Sequence, residues 1–173
     1  MDPLMIVLRT LHIVSGALWF GSAFLFAGFI GPSAAELGPK AGALMSAVIK
    51  KRRFAKVIAG LAITTVLVGW LLWIKNALSY PSIGDWITSP FGLVLTIGGL
   101  LATGAAYTGI SGIGNNVEKV VDIGDAVAAS GGPPTPEQAA WVAHLGAEIE
   151  KHSKIDLVLL FGAVFAMATA RYW

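Results

Sequence analysis

The chain has 173 residues, of which 55% are hydrophobic and 13% charged, and its mean hydropathy is +0.73. A soluble domain carries about 25% charged residues, so half that share points to lipid as the solvent. The formal net charge of +2 makes no case for nucleic acid, and a chain with no cysteine has no disulfides, thiolate chemistry or Cys-ligated metal centres.

A helix needs about 20 apolar residues to cross a bilayer, and four stretches qualify: residues 6–30, 54–74, 90–113 and 155–172. The first carries RTLHIVSGALWF at 9–20, an arginine and a histidine at the mouth of an apolar run. Its length, and acidic Asp2 where a cleavable signal has a basic start, favour a retained span. Gly31-Pro32 is expected to end this helix, and Gly38-Pro39 to separate it from an amphipathic segment, Ala41 to Lys50. That segment is expected to enter the second span as a continuous or slightly bent helix. Trp70, Trp73, Tyr80 and Trp86 flank the second loop and read as an interfacial aromatic belt. Ser89-Pro90 supplies an N-cap and first-turn proline for the third span.

The third connection is patterned as helix rather than loop. Apolar residues recur at helical spacing from Asn115 to Ala129, SGGPP forms a turn, and Thr135-Pro136-Glu137-Gln138 fits a capping box. Residues 115–152 therefore read as a helical hairpin that extends the third and fourth spans beyond the membrane. Tyr172 and Trp173 close the fourth span. The expected fold is all-α: one integral-membrane four-helix bundle. Lysine and arginine concentrate at 40–56 and 119–154, which puts those connections in the cytoplasm and both termini outside.

Small and hydroxyl residues form faces on the spans: Gly92, Thr96, Gly99, Thr103 and Tyr107 on the third, Ser15, Gly16, Ala23 and Ala27 on the first, and Gly60 with Thr64 on the second. Such faces let membrane helices approach closely. Alternatively, Thr96, Thr103 and Tyr107 line a cavity for a flat cofactor or a quinone. The glycine faces and the hairpin both favour a homodimer.

An ionisable group within a span is a functional candidate, because an unpaired charge there costs at least about 2.5–3.5 kcal/mol. His12 is either an interfacial histidine bonded to water or a carbonyl, or an axial ligand to haem b. Haem needs a ligand, room for a planar ring and cations for its propionates. Arg9 and Arg171 supply cations at the outer face, and Met167 is the one soft second ligand at similar depth. His144 and His152 belong to the opposite end. His12 and Met167, with Met1 and Met5, also suit copper(I). Asp156, with His152 and Lys154, reads as a polar cluster where the fourth span begins, with a proton relay as its sharper alternative. No nucleophile–base pair, Walker loop or dinucleotide fingerprint occurs.

LHIVSGALWFGSAFLF at 11–26 resembles the opening helix of small bacterial four-span proteins related to the copper-resistance protein CopD and to HemJ-type protoporphyrinogen oxidase. GP at 31–32, KKRR at 50–53, SPFGLVLTIG at 89–98 and GGPPTPEQ at 131–138 resemble a branch of such proteins. The resemblance implies a four-helix bundle in a bacterial plasma membrane and a haem held by His12. HemJ-type proteins also use a lysine within a later span; the third span has none at its middle, so only His12 carries over. Three functions follow as expectations: a haem b redox or electron-transfer protein working with quinone or porphyrin, a non-enzymatic subunit docking a partner through its hairpin, and an outer-face copper importer.

Overall fold

The computed structural model describes residues 2–173, which fold into helices with no strand among them. The helices are α1 (Pro3–Leu25), α2 (Gly31–Leu37), α3 (Gly42–Ser46), α4 (Phe54–Ala77), α5 (Ile83–Thr88), α6 (Pro90–Tyr107), α7 (Asn115–Ser130) and α8 (Pro136–Thr169). Four helical segments are long and apolar enough to cross a membrane, the build of a multi-pass membrane protein.

Gly31-Pro32 does not end the first helix, contrary to the sequence reading. A π turn, Phe26–Ile30, carries α1 into α2, with the Gly31 N–H bonded to the Phe26 carbonyl. Proline breaks a helix by removing an i→i−4 donor and clashing with that carbonyl. Here the wider turn has already shifted the register, so Pro32 sits where the ladder is interrupted anyway. The break comes at Gly38, whose φ of +55° suits a residue without a side chain.

The segment after that break does not run on into α4. It forms a 3₁₀ turn (Gly38–Ala41), α3 and a second π turn (Ala47–Lys51), and then breaks at Arg53, which is left-handed with φ 53°. Side chains explain the departure. Lys50 Nζ lies 2.7 Å from Asp122 and 2.6 Å from Asp125 on α7, and Ser46 donates to Asp125 at 3.1 Å. Ile49 buries itself in a cluster with Phe26, Val117 and Val121. The segment lies along α7 because its charged and apolar partners are there.

α1 packs mainly on α4, α4 on α6, and α6 on α8. The α1–α4 seam uses the small face expected of the first span: Thr65 donates to the Ser15 hydroxyl at 2.9 Å, and Gly16 sits against the Thr65 methyl. Gly60 faces open space and contributes nothing to it. On α6 the hydroxyl face is covered by tryptophans. Trp73 donates to Thr96 at 2.8 Å and Trp70 to Thr103 at 3.1 Å. Trp86 is not part of an exposed belt: it is fully buried against Trp73, Tyr80 and Phe91, so α5 plugs the second loop.

α6 continues through a third π turn, Thr108–Gly114, into α7. The Thr135 capping box forms as its sequence implies, and α8 runs unbroken from there to Thr169. Between the two ends of the bundle lies a core of Trp19, Ala62, Ala105 and Leu160.

Candidate functional site

The free end of the bundle gathers the N-terminus of α1 and the C-termini of α4 and α8. Asp2 caps α1 by accepting the Leu4 N–H at 3.0 Å, and it also meets Lys75 Nζ of α4 at 2.5 Å. That lysine holds the Asp2 carboxyl below the usual range, with the Leu4 N–H adding to the effect. This staple sits at the same end as an open cleft between α1, α4, α6 and α8.

The cleft encloses about 210 Å³ and is lined by Arg9 and His12 from α1, Thr65, Gly69 and Trp73 from α4, Gly99 from α6, and Met167 and Arg171 from the last helical segment. His12 is half-buried, and its Nδ1 lies 2.9 Å from the Thr65 carbonyl oxygen. A carbonyl only accepts, so Nδ1 carries a proton, and in the neutral form of the ring the lone pair is on Nε2. Histidines that ligate metals have this arrangement: one nitrogen is fixed by a carbonyl and the other is left for the ion.

The local sequence explains how the imidazole reaches that carbonyl. Thr65 is four residues before Gly69, so a side chain at 69 would cover the carbonyl. A Cβ there would lie 2.8 Å from His12 Cε1 and 3.2 Å from Nδ1, closer than such atoms pack. Gly69 is therefore the groove in which the ring rests, a role that sequence reading missed. The signal was legible only in hindsight, as a glycine one turn after a threonine in an apolar helix.

Four of the residues singled out from sequence thus share one cleft: His12, Met167, Arg9 and Arg171. The Met167 methyl packs against α6, 3.1 Å from where a Cβ on Gly98 would stand. Thr103 and Tyr107 do not line the cleft. Thr103 is taken up by the Trp70 indole and by the Gly99 carbonyl at 2.8 Å, and Tyr107 is 74% exposed on the outer surface. The spacing that put them on one face with Gly99 was right for the helix, but that face is split between the tryptophan seam and the exterior. Met5 is half-buried near the start of α1 and is not among the cleft residues, and Met1 lies outside the described residues. Among the described residues no three His, Cys, Asp or Glu side chains come together as a metal cluster.

The other polar groups lie at the hairpin end. His152 bonds the Glu148 carbonyl through Nδ1 at 2.8 Å and packs flat on Gly112, where a Cβ would come within 2.3 Å of its ring. His144 is exposed, edge-on to Trp141. Lys154 turns outward to Glu150 at 2.6 Å. Asp156 does not join them in an interfacial cluster: it is only 3% exposed, inside the bundle. Helical periodicity separates the two, since residues 154 and 156 project about 200° apart around α8.

Comparison with protein-family models, with curated proteins and with solved structures gives no match in any of the three.

Proposed function

We propose that this chain is a membrane protein that binds haem b through His12 and acts in electron transfer with a quinone or porphyrin. The observation that carries the reading is the fixed tautomer of His12, which leaves Nε2 free in a cleft also lined by Met167, Arg9 and Arg171. The donor set fits the group. An imidazole and a thioether suit haem iron, and two guanidiniums suit a pair of carboxylates. Gly69 and Gly99 keep two walls of the cleft low. The cleft's 210 Å³ is below the roughly 300–1,000 Å³ of a typical ligand site, so a macrocycle held by His12 would extend beyond it on the open side. Bound haem would supply reversible one-electron chemistry. The chain's own part is to orient the imidazole through Thr65 and Gly69, to balance anionic substituents with Arg9 and Arg171, and to exclude water with Trp70 and Trp73. The resemblance of the first helix to HemJ-type proteins supports the same residue.

The test is the absorption spectrum of protein purified in mild detergent after expression with ample haem. A Soret band in the native chain that disappears in His12→Ala is the expected result, and a full band in that variant overturns the assignment. A second reading rests on the same pairing of His12 with Met167, which also suits copper(I). A flat visible spectrum with stoichiometric copper that His12→Ala removes would transfer the site to that ion.

A further inference from the structure

A second cavity lies at the other end of the bundle and shares no lining residue with the first. It encloses about 240 Å³ and is walled by aliphatic side chains and three aromatic rings, Trp19, Phe26 and Phe54, with Asp156 in the same lining. Phe26 and Phe54 stand 5.7 Å apart between ring centroids.

Asp156 is poorly satisfied for a carboxylate this deep. Its Oδ1 is reached by Thr108 Oγ1 at 3.0 Å, and that hydroxyl also lies within bonding distance of the Gly104 and Ala105 carbonyls, at 3.2 and 3.1 Å. A hydroxyl has one proton to give, so three acceptors share one donor. Among the described residues no lysine, arginine or histidine lies within 4.0 Å of the carboxylate. Lys56 and Glu118, of opposite charge, also line the cavity and leave Asp156 without an ion-pair partner. Thr108 and Gly109 open a π turn, a form that recurs at functional sites, and a Cβ on Gly109 would stand 3.4 Å from Oδ1.

We propose that this cavity binds an organic ammonium cation, with its charged head against Asp156 and the aromatic faces and its apolar body among the aliphatic walls. A buried carboxylate needs either a counter-charge or a proton. Aromatic faces attract ammonium groups, most strongly when these are desolvated. A metal ion is a poorer occupant, because among the described residues no three His, Cys, Asp or Glu side chains converge there as the ligand cluster a hard cation needs. A proton alone leaves the volume unexplained, which is several times the ~30 Å³ share of a water molecule. This proposal is independent of the haem reading, since the two cavities have separate linings.

The experiment is a calorimetric titration of the full chain in detergent with benzyltrimethylammonium, and with neopentylbenzene as its uncharged carbon analogue. Detergent alone is the blank. Saturable binding of the cation is expected, at least tenfold tighter than the analogue and at least tenfold weaker in Asp156→Asn. Ala59→Phe, which fills the cavity without touching the charge, is expected to weaken binding as well; it decides the matter if Asp156→Asn fails to fold. Unchanged affinity in a folded Asp156→Asn, equal affinity for the analogue, or no saturable binding by the native chain overturns the proposal. The last two outcomes would leave, respectively, an apolar cavity and a carboxylate that holds only a proton.

Discussion

Two glycines on α4 show how much a single side chain decides. Gly69 is the floor beneath His12, whereas Gly60, nine residues earlier, faces open space. An alanine at 69 must push the imidazole off the Thr65 carbonyl, and overpacking of this kind costs about 1–3 kcal/mol. An alanine at 60 meets nothing and carries the better helix propensity. Thermal melts in detergent should therefore separate the variants, with Gly69→Ala clearly destabilised and Gly60→Ala unchanged or slightly more stable. Both residues are glycines in an apolar run, so nothing in the sequence distinguishes them. His12 itself stood out because an imidazole in lipid requires a partner. That the partner is a backbone carbonyl on another helix depended on where α4 packs.

At the scale of the helix, end chemistry was readable and interruptions were not. The Ser89 and Thr135 caps form as their sequences imply, because a cap is a bond between residues two or three apart. The three π turns, at Phe26–Ile30, Ala47–Lys51 and Thr108–Gly114, have no comparable local signature. Each lies where the helix departs from the main bundle or turns a polar group inward, so packing selects it. The N-terminus of α1 adds a long-range bond to a local one, since Asp2 both caps the helix and pairs with Lys75. Its carboxyl titrates below its ordinary value of 3.8 in the folded chain, first because of Lys75 and then because of the Leu4 N–H. A depressed folded pKa contributes stability above the unfolded value, and that contribution is lost as pH falls through the folded one. Amide exchange of the first turn of α1, taken relative to the intrinsic rate at each pH, should therefore be independent of pH above about 5. Below about 4 it should speed up relative to an Asp2→Asn control, in which that acid-dependent change is absent.

The molecule as a whole is a bundle with two cavities at opposite ends, separated by the packed layer around Trp19, Ala62, Ala105 and Leu160. Lys50 meeting Asp122 and Asp125 confirms that the basic first connection and the third connection lie at the same end. The positive-inside rule makes the cytoplasmic side the expectation for that end. With no native cysteine, single cysteines report orientation without background. Ser79→Cys in the second connection should react with a membrane-impermeant maleimide on intact cells, while Ser130→Cys at the tip of α7 should react only after lysis. The reverse pattern would place the His12 cleft on the inner face.

Sequence alone made legible the four long apolar helices, the Ser89 and Thr135 caps, and the four residues that meet in the first cleft, though it set Thr103 and Tyr107 beside them. These follow from hydropathy over 20 residues, from bonds between near neighbours, and from the cost of placing cations and imidazole in lipid, all of which act locally along the chain. Tertiary structure decided the rest: that Pro32 sits within a continuing helix, that Thr103 and Tyr107 face away from the cleft, and that Asp156 is buried beside Thr108 instead of paired at the surface. Each of those outcomes turns on which helix lies beside which. Small residues on every span permit several such pairings, and only the packed bundle selects among them.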